Sequence, residues 1–172
     1  MKFKQNGQWK NLGGIDPTKF GNYILLTPDM VSEDIGTSTQ RYIGTATHLI
    51  IDDSFPTNNL SNLFFGGNKT ITSLVILTDK FIGFRSLFNG VGTQLKNIFI
   101  NTSNVTDMSY MFQSSQVTTL DLSSFDTSKV TDMSFMFQYS QATTGYARTQ
   151  ADADRFNAGL GKPTGLTFVV KP

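Results

Sequence analysis

Thr119-Leu-Asp-Leu-Ser-Ser-Phe-Asp-Thr-Ser-Lys-Val-Thr-Asp-Met-Ser-Phe-Met-Phe137 holds two different apolar periods in one short stretch. Leu120 and Leu122 alternate, which reads as a short strand with every second residue inward. Met133, Met136 and Phe137 stand at i, i+3 and i+4, the spacing of one face of a helical turn. Between them lies Ser123-Ser-Phe-Asp-Thr-Ser-Lys-Val-Thr-Asp132, rich in side chains that satisfy backbone groups in turns. The unit therefore reads as strand, turn, short helix.

Both signals recur along the chain. The triplet appears as Leu60/Leu63/Phe64, Phe84/Leu87/Phe88 and Met108/Met111/Phe112 before it reaches Met133, at a nearly constant interval. The alternating pair appears as Leu49/Ile51, Leu74/Ile76 and Ile98/Ile100 ahead of Leu120/Leu122. A unit of about 24 residues cannot bury its apolar face alone, but stacked units share a parallel ladder of strands and a continuous Leu/Phe/Met interior. The predicted fold class is an α/β repeat: a solenoid with a short parallel strand and a short helix per coil.

The stretch 119–137 resembles the BspA-like leucine-rich repeat of bacterial surface proteins, and Asn104-Val-Thr-Asp-Met-Ser-Tyr-Met-Phe112 matches the helical half of that pattern. The turn of this earlier unit is three residues shorter, and the two units before it keep only the apolar skeleton. The resemblance implies a leucine-rich-repeat-like solenoid, capped at both ends, with about four repeats over residues 45–142. The end of the chain, Thr144-Gly-Tyr-Ala-Arg-Thr-Gln-Ala-Asp-Ala-Asp-Arg-Phe-Asn157 and Leu166-Thr-Phe-Val-Val170, is similar to the segment that closes such arrays. Residues 143–172 are accordingly expected to form a capping helix, with Thr149 as its N-cap, and a last strand. Residues 1–44 do not share the period. There Asn6-Gly7 is a two-residue hairpin signal, and the segment is expected to cap the other end or to attach the protein through Phe3 and Trp9.

Composition removes several functions. With 172 residues and 38% hydrophobic content the chain can bury one core, so a single domain with an appendage is expected. The net charge of +1 is spread without blocks, which leaves no footprint for nucleic acid. Cysteine is absent, which excludes disulfides and thiolate chemistry, and no apolar run approaches the roughly 20 residues that span a bilayer. His48 is the sole histidine, too little for a histidine metal site or a catalytic triad. Asp52-Asp53 and Asp152/Asp154 do not follow the calcium-loop pattern and read as turn and helix-start residues. Asn89-Gly-Val-Gly-Thr-Gln94 lacks the residues that complete a phosphate-binding loop and reads as a turn. The expectation is a protein that is not an enzyme, with no cofactor and no metal.

A binding face is the remaining candidate. Ile50, Val75, Phe99 and Asp121 alternate with the inward strand residues and are expected to form an outward partner-binding row with three apolar members. The expected partner is a protein or a cell-surface glycan, with a homo-oligomer or virion proteins as further contacts. BspA-like proteins usually carry an export signal and an anchor, which the chain from Met1 onward does not show. Phe3-Lys-Gln-Asn-Gly-Gln-Trp9 is similar to the starts of phage tail, baseplate and head-fibre proteins. The sequence thus points to a bacteriophage virion component that contacts a host surface, with the binding domain of a bacterial cell-surface adhesin as the alternative.

Overall fold

The computed structural model describes residues 2–5, 8–11, 23–34, 39–66 and 70–172. Within them the chain is a parallel β-solenoid of about five turns with a single α-helix. Strands β1 (Lys2–Gln5) and β2 (Gln8–Asn11) pair antiparallel, with Lys4 opposite Trp9. Asn6-Gly7 and the side chains of Phe3 and Trp9 lie outside the described part of the molecule. β4 (Val31–Asp34) and β5 (Thr39–Tyr42) form a second antiparallel pair ahead of the coils.

Two parallel sheets make one wall of the solenoid. The first runs β3 (Ile24–Leu25), β6 (His48–Ile51), β7 (Ser73–Ile76), β8 (Asn97–Ile100). The second runs β9 (Thr119–Leu122), β10 (Thr144–Ala147), β11 (Thr167–Val170). Register lines up Leu49, Leu74 and Ile98 in the first, and Leu120, Gly145 and Phe168 in the second. The alternation seen in the sequence is thus the alternation of the pleat, one member inward and the next outward. Gly145 stands where other coils carry leucine, isoleucine or phenylalanine because a Cβ there would lie 2.3 Å from the Phe168 ring.

The other half of each coil departs from the expected short helix. A residue with left-handed φ sits between the first and second members of every triplet: Asn62 (64°), Ser86 (54°), Tyr110 (58°) and Phe135 (57°). A second follows one turn later at Gly66, Gly90, Ser114 and Tyr139. A right-handed helix cannot contain such residues. Instead, alternate backbone N–H groups close successive tight turns, Leu87 to Phe84 O, Asn89 to Ser86 O and Val91 to Phe88 O. The intervening ones, from Phe84, Ser86, Phe88 and Gly90, donate to Asp107, Ser109, Met111 and Gln113 of the next coil. The non-strand wall is therefore a second hydrogen-bonded ladder, and every donor from Ser86 to Val91 is accounted for.

Between the two walls runs a column of aromatic rings. Phe64, Phe88, Phe112 and Phe137 stack face to face with centroids 5.7, 5.3 and 6.1 Å apart. At one end Tyr42 meets Phe64 edge-on, and at the other Phe156 meets Phe137 edge-on beside Phe168. A buried polar row runs parallel to the column. Thr78, Thr102 and Thr127 each occupy the same corner, with Asp53 and Asp152 at the row's two ends. Thr127 donates to Asp152 Oδ1 from its hydroxyl (2.7 Å) and its N–H (3.0 Å).

Helix α1 (Gln150–Asn157) is fixed by the same carboxylate. Thr149 is its N-cap, accepting from the Asp152 N–H at 3.2 Å while its hydroxyl donates to Asp152 Oδ2 at 2.6 Å. Burial alone would push the Asp152 carboxyl up. The hydrogen bonds from Thr149, Thr127 and Arg148 outweigh that and hold it down at about 2. From the last position of the helix, the Asn157 side chain bonds both the N–H and the C=O of Phe168, each at 2.9 Å, and beyond it Lys162 Nζ reaches the Leu166 carbonyl. The outer edge of β11 is thereby partly occupied by side chains of the same chain.

Phe112→Ala removes the middle of the ring column and is expected to cost about 3–5 kcal/mol in equilibrium urea unfolding. Phe112→Leu should cost clearly less. The Asp152 carboxyl is depressed in the folded state, so its contribution is complete above the unfolded value of 3.8 and is lost as pH falls toward about 2. Asp152→Asn should lower stability at neutral pH by roughly 2 kcal/mol and give a shallower decline between pH 4 and 2 than the parent protein, both readable from thermal scans across that range.

Candidate functional site

The strand wall carries the outward residues that the sequence singles out. Register places Leu25, Ile50, Val75 and Phe99 in one row, and Asp121, Tyr146 and Val169 in another. The expected continuous apolar stripe is not what forms. Val75 is only 2% exposed, whereas Phe99 on the next strand is 40% exposed. The step from Phe99 to Asp121 is also broken, because β8 and β9 share no ladder.

The break has its origin in the lengths of the connections. The path from Phe112 to Leu120 is two positions shorter than the equivalent path from Phe88 to Ile98, so β9 begins early. The deficit is more than returned afterwards, since the path from Leu122 to Met133 is three positions longer than that from Ile100 to Met108. A slip of two keeps the alternation, which is why Leu120 and Leu122 still point inward. The ladder is lost nonetheless. The Ile100 N–H donates to Ser124 Oγ at 3.2 Å in place of a strand carbonyl.

A cleft of about 250 Å³ opens at the slip, with Leu95 and Val117 as its apolar lining and Lys96, Thr119 and Asp121 among its polar walls. Asp121 Oδ2 accepts from Lys171 Nζ at 2.6 Å, and Asp121 Oδ1 accepts from the Ser123 hydroxyl at 2.6 Å. Burial raises the Asp121 carboxyl, but the hydrogen bonds from Lys171 and Ser123 hold it below its ordinary value. The site therefore presents hydroxyls, an apolar floor and a carboxylate already paired with an ammonium.

Four further acids close local turns. Asp52, Asp107, Asp126 and Asp132 each accept the N–H of the serine two positions on, the geometry that closes an Asx turn. Hydrogen bonds from those serines lower the Asp126 and Asp132 carboxyls. Among the described residues no group of three His, Cys, Asp or Glu gathers in a metal-holding arrangement. His48 heads β6, its Nδ1 2.7 Å from the Thr47 hydroxyl and its ring against Tyr23. Among the same residues no helix is long and apolar enough to cross a membrane.

The family described as "Mycoplasma protein of unknown function, DUF285" matches residues 58–158, more than half of the chain. The chain belongs to that family. No curated protein and no solved structure matches it. The DUF285 span opens just before the first triplet at Leu60 and closes just after α1, so it takes in the four triplets, strands β7 to β10, the slip and the helix. Tyr146, Val169 and Lys171 belong to the strand face of this DUF285 chain but were not among the residues expected there. Carrying the repeat on from Asp121 would have reached Tyr146 and, one coil further, Val169.

Ser124→Ala leaves the Ile100 N–H without its acceptor at the slip. Amide exchange at Ile100 is expected to quicken at least about tenfold while that of Ile76, inside a paired ladder, stays unchanged. Equal protection at both amides in the variant would show that the Ser124 hydroxyl does not hold the slip.

Proposed function

We propose that this DUF285 chain is a non-enzymatic binding module that presents its strand face, centred on Phe99 and the cleft beside Asp121, to a protein or cell-surface glycan. The observation that supports this reading is the register slip. It leaves a large ring 40% exposed on β8, the strand that flanks the slip where a cleft with an apolar floor opens, while the neighbouring strand β7 buries its equivalent residue, Val75. An exposed aromatic beside a partly desolvated pocket is the arrangement that anchors interfaces. In this reading the coils are leucine-rich-repeat-like units of the BspA kind, residues 143–172 close one end of the stack and the segment before the coils closes the other. Several copies acting together would strengthen a weak single contact.

Two settings fit such a module. The family match, to proteins of a bacterial genus, favours the binding domain of a bacterial surface adhesin. The virion reading rests on the similarity of Phe3–Trp9 to the starts of phage structural proteins.

Surface plasmon resonance against immobilised extracellular-matrix proteins and defined glycans tests the proposal. Saturable binding is expected with the full chain. Phe99→Asp should weaken it at least about tenfold and shift the thermal midpoint little, since the ring is exposed. The strand face is ruled out if Phe99→Asp binds as the parent does, and the binding-module reading falls if no surface gives saturable binding.

A further inference from the structure

Tyr139 is a residue that the fold does not explain. Its place in the coil is taken elsewhere by Gly66, Gly90 and Ser114, all with left-handed φ, and Tyr139 shares that backbone at 58°. Glycine adopts it freely, whereas a bulky aromatic is strained there. Two other aromatics accept the same strain with a visible return. Tyr110 and Phe135 stack on each other at 5.4 Å, and the Arg85 guanidinium lies 4.5 Å over the Tyr110 ring. Tyr139 has no such contact among the described residues and is 71% exposed.

Its own turn and the one before it carry polar, uncharged groups. Asn89 Nδ2 donates to Gln113 Oε1 at 2.8 Å and Gln113 Nε2 donates to Gln138 Oε1 at 2.7 Å, a row of amides running along the coils in one direction. The row ends in the Gln138 amide, beside Tyr139 in the chain, and bonds aligned head to tail strengthen the donors at that end. Ser114 is held against the same turn by its N–H to Gln138 O at 2.8 Å. Beneath the surface, the hydroxyls of Ser115 and Ser140 are buried with no hydrogen-bond partner, at a position where the preceding coil carries Val91. Neither residues 109–120 nor residues 133–147 contain an acidic, basic or histidine side chain. On the other side Gly161 packs against Gln138, and the charge next to it in the chain, the Lys162 ammonium, is bound to the Pro163 and Leu166 carbonyls.

We infer that the turn face around Tyr139, Gln138 and Ser114 is a second binding surface, built for a neutral saccharide. The open ring suits the C–H face of a pyranose, and the amide and hydroxyl groups beside it suit its hydroxyls. The absence of charge from its own turn and the preceding one, with Lys162 of the following turn already bound to backbone carbonyls, disfavours an anionic or cationic ligand. A protein partner would call for an apolar centre around the ring, and here the ring stands among amides and hydroxyls. This surface lies on the wall opposite the strands and does not depend on the strand-face reading.

The test is an NMR titration of the full chain with chitotriose, maltotetraose and lactose, alongside the variants Tyr139→Gly, Tyr139→Phe and Phe99→Asp. At least one sugar should shift the resonances of Ser114, Gln138 and Tyr139, with Tyr139→Phe and Phe99→Asp binding within about threefold of the parent. Tyr139→Gly should lose affinity at least tenfold while its thermal midpoint rises by about 2–4 °C, because the strain is relieved as the ring is removed. No shift at these residues with any of the three sugars overturns the inference, as does a Tyr139→Gly chain that binds like the parent. Binding confined to acidic saccharides and weakened by salt would overturn it as well.

Discussion

The stacking of Phe64, Phe88, Phe112 and Phe137 is the contact on which the rest of the molecule depends. Paired strands fix the rise from coil to coil at about 4.8 Å. Centroids 5.3 to 6.1 Å apart at that rise must be displaced sideways, and near-parallel rings prefer this offset to a direct sandwich. Strand ladder and ring column therefore ask for the same spacing. Because each ring touches only its neighbours in the column, stability is passed along the stack coil by coil, as in other one-dimensional repeats.

Everything else in the interior repeats the same logic with different chemistry. The left-handed residues that break each would-be helix turn half of the backbone N–H groups toward the next coil, so the wall without strands is hydrogen-bonded too. The buried threonines do this with hydroxyls. Such rows leave a demand unmet wherever the stack stops. Asp152 answers it for the threonine row, Asn157 for the backbone of Phe168, and Phe156 for the ring column, and all three lie on α1. One short helix thus meets three kinds of unfinished row.

Much of this was legible in the sequence. Alternation at Leu49/Ile51 and its successors marked the strands, the triplets marked which residues face inward, and Thr149 was readable as an N-cap. The helical turns were not correct, and the reason is geometric. An i, i+3, i+4 set faces one way in a helix and also in the linked tight turns found here, so apolar spacing alone cannot separate them. Only the residues at the left-handed positions differ, and two of the four coils put Tyr and Phe there, where glycine or asparagine would have signalled a turn. The row Ile50, Val75, Phe99, Asp121 failed as a continuous stripe for another reason. Alternation says which way a side chain points but not what covers it, and the slip before β9 shows only when connection lengths are compared coil by coil. The threonine row escaped notice because one inward threonine per coil looks like any other in a chain rich in hydroxyls.

A repeat also supplies its own control. Each coil must meet the same packing and hydrogen-bonding requirements, so a residue at one position can be judged against its equivalents on either side. Val75 and Phe99 occupy equivalent places with opposite exposure, and the difference coincides with the point where, among the described residues, the strand ladder is interrupted between coils. Tyr139 occupies a place that two other coils give to glycine. Neither departure strengthens the stack. The physical requirements of the solenoid are met by the inward rows, and Phe99 and Tyr139, one on each wall, are outward places where the sequence was free to serve something outside the fold.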